Sequence, residues 1–291
     1  MSDERDLQRA VTLIILAGAG EHGFVLAGSG AIREHGLVDR VTHDVDLFTN
    51  QYDAPSFDRA VDEARNVLEA AGYRVTERRR AQYFAQLSVT AEDGRTTEVD
   101  FAYDWRGQEP ASMQIGPVLS ADDAVASKTN AVYTRLDVRD FIDLDAIRTS
   151  GRYSDEQLLL LVADRDDGFD RSMFAQQLQQ IARVPEGRFL AYGLDADAIS
   201  QVRAHTLAWA AELEETSAPS SRDVGAAPLD RTRGDQSGMA LHDKEALAKL
   251  KAVRGRSAEP TVPSQSSLGR LPSGHQGTPA SRSLDDQGIE H

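Results

Sequence analysis

Cysteine is absent from all 291 residues, which rules out disulfides, thiolate metal sites and a cysteine nucleophile. Aromatic residues are few, 6% of the chain, and none falls in 216–291. Long apolar runs are missing as well. Val11–Ala17 is too short to cross a bilayer and follows an acidic flank rather than the basic one of a secretory leader. No membrane association is expected, and the cytoplasm is the default compartment. Basic charge is also scarce, with 32 Lys/Arg against 47 Asp/Glu and a net charge of −15. Residues 216–291 hold ten Lys/Arg and nine Asp/Glu, which leaves 22 against 38, or −16, for residues 1–215. A surface built to coat nucleic acid has the opposite balance. A local basic groove is still open to the chain. Arg78, Arg79 and Arg80 are either one wall of such a groove or charges that keep a strand edge from pairing with another chain.

What is present divides in three. Residues 1–119 mix short apolar runs with glycine-rich turns. Apolar positions recur at helical spacing in 4–17, Phe24–Ala27 suits a buried strand, and Ala31–His35 suits a short helix. Val45–Phe48 reads as a second buried strand. A helix follows with Ser56 as its N-cap and Phe57, Ala60, Val61, Ala64, Val67 and Leu68 as its apolar stripe. Tyr83–Val89 and Thr97–Tyr103 read as a hairpin turning at Asp93-Gly94, and Val118-Leu119 as a last short strand. Residues 120–215 are helical throughout, in segments near 122–134, 137–149, 154–163, 170–183 and 195–214, the first capped by Ser120. Residues 216–291, rich in Ser, Pro and Gly, cannot bury enough apolar surface to offset the entropy of ordering. They are expected to be a disordered tail with one short helix at 241–253. The fold class is therefore α+β, a mixed sheet with flanking helices followed by a helical domain.

Three pieces carry chemistry. Gly28-Ser29-Gly30 follows a strand at a helix start, where glycines admit close backbone approach and N–H groups attract phosphate. The same step also serves as a plain strand–turn–helix. Asp44 and Asp46 stand two apart on a strand and so share a face. Two adjacent carboxylates in apolar surroundings repel unless a cation lies between them, and hard oxygen ligands on one open face suit Mg²⁺, with Mn²⁺ as a substitute. Asp100, on a later strand, is a third metal ligand, a general base or an ordinary outward polar residue. The last piece is Lys128-(x6)-Arg135-(x3)-Arg139-Asp140-(x2)-Asp143. It sets two cations on one helix face and two acids on one face of the next, and suits either a triphosphate or a salt-bridged helix surface.

Taken in order, GSG…R-x-T-x-D-x-D-L-F and K-x6-R-x3-R-D-x2-D resemble the AbiEii/AbiGii toxin group of nucleotidyltransferases, which includes the MenT toxins, over Phe24 to Ile147. The resemblance implies a DNA-polymerase-β-type nucleotidyltransferase core and a helical C-terminal domain. It maps the family's paired acids onto Asp44 and Asp46, its lysine onto Lys128, its later aspartate onto Asp143 and its glycine–serine step onto Gly28 and Ser29. The activity it implies moves a nucleoside monophosphate from an NTP to a hydroxyl, favouring a tRNA 3′ end, with an antitoxin as partner. Asp44 and Asp46 then hold the metal, and Gly28, Ser29 and Gly30 cradle phosphates. Lys128, assisted by Arg135, offsets triphosphate charge, and Asp143 orients the lysine. Two alternatives stay open: nucleotidylation of a small molecule or protein, which the acidic balance favours, and a non-catalytic nucleotide-binding module.

Overall fold

The computed structural model describes residues 2–19, 22–40, 42 and 44–217. These residues belong to one compact unit. The expected tail and its helix at 241–253 lie outside the described residues, except that the last helix runs on to Ser217.

A seven-stranded mixed sheet organises the first half. Its strands are β1 (Val25–Leu26), β2 (Asp44–Thr49), β3 (Arg74–Ala81), β4 (Phe84–Thr90), β5 (Thr96–Tyr103), β6 (Ala111–Met113) and β7 (Gly116–Val118). They lie in the order β3-β4-β5-β2-β1-β7-β6. The β2–β5 and β1–β7 pairs are parallel and the other four pairs are antiparallel. Helices α1 (Ser2–Ala19) and α3 (Ala54–Ala70) pack together over one face. The predicted stripe of α3 is the side that is buried, and Phe57 and Phe101 each meet Phe24 with ring centroids 5.5 Å apart. Leu47, Phe101 and Ala85 share that face because they are in register across β2, β5 and β4. The alternate residues Asp44, Asp46, Asp100 and Gln86 therefore stand on the opposite face.

The second half is helical: α4 (Ala121–Arg135), α5 (Val138–Thr149), α6 (Asp155–Arg165), α7 (Arg171–Gln179), α8 (Glu186–Leu190) and α9 (Ala196–Ser217). Ser120 caps α4 by accepting from Asp123 N–H, Asp137 accepts from Arg139 N–H at the start of α5, and Ser154 and Gln157 form a capping box on α6. Leu136 turns the chain between α4 and α5 with φ 56°. Trp209 of α9 packs edge-on against Phe174 of α7 at 5.2 Å, with the Arg148 guanidinium 4.3 Å from its ring centroid.

Several local expectations change. The glycine step belongs to a helix, α2 (Gly28–Glu34), with Ala27 at its N-cap. Pro55 starts α3 one turn early behind Asp53, since its fixed φ suits a first turn. Ser56 thus lies inside the helix and bonds His22 Nδ1 instead of capping. β3, β6 and α8 were not foreseen as elements. β3 is an edge strand whose alternation is masked by charge, and Arg80 there is paired with Glu77, Asp58 and Asp62, which favours the edge reading for that arginine over the groove reading.

Trp209→Ala empties the joint between α7 and α9, both sides of which are buried. It is expected to cost roughly 3–5 kcal/mol in chemical denaturation.

Candidate active site

Asp44 and Asp46 occupy the first and third positions of β2, side by side on the face away from α1 and α3. Asp46 is 8% exposed. Its backbone carbonyl accepts from Ala27 N–H at 2.8 Å, which draws the start of α2 onto the strand. The fit is close. A Cβ on Gly28 would lie 1.8 Å from Asp46 Oδ2, and Gly28 has φ +55°. Only glycine allows the carboxylate to sit against the backbone there. Gly30 has a different role: a Cβ there would lie 2.8 Å from Leu26 Cδ1, so its place is packing between helix and strand rather than an approach to phosphate.

Ser29 joins the strand wall to the helical one. Its hydroxyl donates to Asp143 Oδ2 at 3.1 Å and accepts from Lys128 Nζ at 2.9 Å and Arg40 Nη2 at 2.7 Å. It is committed to this cluster and not offered outward as a phosphate donor. Lys128 reaches Asp143 Oδ2 at 2.8 Å and Asp140 Oδ1 at 3.4 Å. Arg40 grips Asp143 with two bonds of 2.6 and 2.7 Å. Arg135 grips Asp140 in the same way, at 2.6 and 2.7 Å. Both aspartates have no exposure at all.

Burial alone would push the two carboxyls up, but the facing cations prevail and hold both below the usual carboxylate range. These are Arg135, Lys128 and Arg139 for Asp140, and Lys128 and Arg40 for Asp143. Three cations (Lys128 and Arg135 of α4, and Arg40 from the segment before β2) thus face two buried carboxylates of α5, an excess of one positive charge in the cluster. Opposite it, Arg139 Nη1 lies 3.2 Å from Asp44 Oδ2. Burial works against the Arg139 charge, yet Asp44, Asp140, Asp137 and Asp46 together raise its pKa.

Asp100 is in parallel register with Asp46 and accepts from Gln86 Nε2 at 2.9 Å. Among the described residues, no three His, Cys, Asp or Glu side chains gather closely enough in this structure to hold a metal by themselves. The Asp44–Asp46 pair does fit Mg²⁺, which commonly takes one or two carboxylates and fills its other positions with water and substrate phosphates. Sequence reasoning brought Asp44, Asp46, Ser29, Lys128, Arg135 and Asp143 to this neighbourhood. It gave no role to Arg40 or Arg139. Arg40 lies 103 positions from its carboxylate, and its only signal is its place four residues before Asp44.

Transfer of a nucleotide needs one wall that can hold a cation and another that takes up phosphate charge. The cleft divides in that way, and its enzyme class is nucleotidyltransferase. The family model described as "Nucleotidyl transferase AbiEii toxin, Type IV TA system" matches residues 14–224, and the chain belongs to that family. Similar solved structures include JHP933 from Helicobacter pylori, 14% identical over 73% of this chain and 93% of that one, with a TM-score of 0.45. Another is MenT4, a nucleotidyltransferase toxin from Mycobacterium tuberculosis, 19% identical over 85% of this chain and 93% of that one, with a TM-score of 0.46. Among curated proteins, no sequence matches. Among the described residues, no helix is long and apolar enough to cross a membrane.

Two outcomes follow from the charge cluster. Asp143→Asn leaves Lys128 and Arg40 without their buried partner and is expected to cost roughly 3–5 kcal/mol. The native pKa of Asp143 lies below the ordinary 3.8, so its contribution is complete above that value and is lost as pH falls through the native pKa. Denaturation midpoints taken from pH 7 to pH 3 should therefore fall less steeply in Asp143→Asn than in the parent. Gly28→Ala is expected to displace Asp46 and reduce nucleotide transfer by more than about tenfold, the rate cost of roughly 1.4 kcal/mol of lost positioning, measured as pyrophosphate release.

Proposed function

We propose that this enzyme moves a nucleoside monophosphate from an NTP to a hydroxyl at the 3′ end of a tRNA. It acts in the cytoplasm as the toxin of a toxin–antitoxin pair, with Asp44 and Asp46 as ligands for Mg²⁺ or Mn²⁺. The observation that carries the transfer chemistry is the charge division of the cleft: two carboxylates on β2 against a buried cluster in which Lys128, Arg135 and Arg40 outnumber Asp140 and Asp143 by one. A bound divalent cation lowers the pKa of the attacking hydroxyl and neutralises charge on the phosphates.

The residues of the chain do the rest. The acceptor oxygen attacks the α-phosphorus in line, the bond from that phosphorus to the bridging oxygen breaks, and pyrophosphate leaves. Lys128 and Arg135 face the triphosphate and offset the charge that builds on the leaving group. Asp143 and Ser29 fix Lys128 from behind, and Asp140 fixes Arg135. Backbone N–H groups at Gly28 and Ser29 meet phosphate oxygens beside Asp46. Asp100, one strand over, accepts from Gln86 and is the candidate base that takes the acceptor's proton as its oxygen attacks.

Family membership supports an antitoxin as the partner, and the resemblance of the sequence motifs to the toxin group favours a tRNA acceptor. The net charge of −15 supports a second reading, in which the acceptor is a small molecule or a protein hydroxyl. Incubation with α-labelled NTPs and Mg²⁺, with total tRNA and small hydroxyl compounds offered separately, distinguishes them. Label is expected on tRNA, and label only on small acceptors overturns that part. Asp44→Asn and Asp46→Asn are each expected to lower transfer roughly a thousandfold, the cost of several kcal/mol of charge stabilisation, with folding unchanged by circular dichroism. Near-normal turnover in either variant removes the assignment of the pair.

A further inference from the structure

Among the arginines of the cleft, Arg139 is the least committed. Arg40 and Arg135 each spend two short bonds on one fully buried carboxylate. Arg139 makes one 3.2 Å bond to Asp44, approaches Asp137 Oδ2 at 3.6 Å, and keeps Nε buried with no hydrogen-bond partner. A separation of 3.6 Å is too long for a hydrogen bond. A buried donor on a charged group left without an acceptor is costly, so this side chain gains from any better acceptor that arrives. Its position tells where one would come from. It follows Arg135 by one helical turn's worth of residues across the α4–α5 corner, and it reaches from α5 to Asp44 on β2.

We propose that Arg139 is a triphosphate ligand that shares Asp44 with the divalent cation, so that one guanidinium has two alternative seats. This deepens the function proposed above and rests on its assignment of Asp44 as a cation ligand. A carboxylate oxygen serves a guanidinium N–H or a hard cation at full strength, but not both. When Asp44 goes to the cation, the nucleoside triphosphate that accompanies it brings pairs of phosphate oxygens that the planar arginine fork can meet with two bonds. Arg139 then gains the acceptors it lacks, and Asp44 is protected from unbalanced charge in either seat. Substrate and cation therefore favour each other's binding through this residue.

The test uses the full chain and two titrations, Mn²⁺ alone and a non-hydrolysable NTP analogue with Mg²⁺, followed calorimetrically. In Arg139→Gln, Mn²⁺ alone is expected to bind about tenfold tighter, because its competitor for Asp44 is gone, while the analogue binds about tenfold weaker. Arg188→Gln removes a neighbouring cation that pairs with Asp137 at 3.6 Å, and is expected to change each affinity by less than about twofold. Opposite movement of the two affinities in Arg139→Gln supports the proposal. A fall in both, the mark of a purely structural arginine, overturns it. Arg139→Lys keeps the charge without the fork, so it guards against a misfolded Gln variant. An analogue affinity between those of the parent and about tenfold weaker supports the proposal, and one equal to the parent's overturns it. Asp44→Asn separates the two layers of inference. If it binds Mn²⁺ as tightly as the parent, the assignment of Asp44 fails. If it loses Mn²⁺ while Arg139→Gln leaves Mn²⁺ affinity unchanged, only the Arg139 proposal fails.

Discussion

Two carboxylates with no exposure, Asp140 and Asp143, must be matched by cations from elsewhere in the chain, and the rest of the site follows from that requirement. An unpaired charge in that position would cost several kcal/mol. Asp143 is matched by Lys128 from α4 and by Arg40 from the segment before β2, and Asp140 by Arg135 at the end of α4. The Lys128–Asp143 and Arg135–Asp140 pairs form within the helical half, whereas the Arg40–Asp143 pair forms only when that half closes on the segment before β2. Ser29, bonded to Lys128, Arg40 and Asp143 together, ties the start of α2 into the cluster, so the cleft is complete only when both halves are packed.

The same arrangement explains why the cleft is polarised. The buried cluster retains one cation in excess, while β2 presents two acids a strand's alternation apart. Neither wall alone suggests transfer chemistry, since a surplus of buried cations and a carboxylate pair each have ordinary structural explanations. A metal-bound triphosphate is a ligand whose two kinds of charge fit both walls. The acidity of the chain as a whole does not conflict with this, because the positive side is small, internal and held by local pairing.

Much of this was legible in the sequence, for identifiable reasons. The i, i+2 spacing of Asp44 and Asp46 puts them on one face of any strand, and the apolar residues between and after them read as strand. Lys128, Arg135, Asp140 and Asp143 pair within or between adjacent helices, so helical spacing was enough to group them. Other features depend on contacts distant in the chain. The bond between Arg40 and Asp143 spans 103 positions and leaves no periodic trace. The glycine step read as a turn because Gly is a poor helix former, whereas the structure uses Gly28 for its positive φ and for the space that Asp46 needs, inside the first turn of α2. The strand β3 was hidden because its three consecutive arginines straddle a register shift between Glu77 and Arg79, which breaks the alternation that identifies strands.

The central claim is that the β2 acids and the α4–α5 cations grip one metal–triphosphate between them. A crystal structure with Mg²⁺ and a non-hydrolysable NTP analogue tests this most directly. The account predicts the metal on Asp44 and Asp46, with the phosphates between Gly28–Ser29 and Lys128. A triphosphate bound elsewhere, or bound there with Lys128 turned away and the metal off both acids, would contradict it.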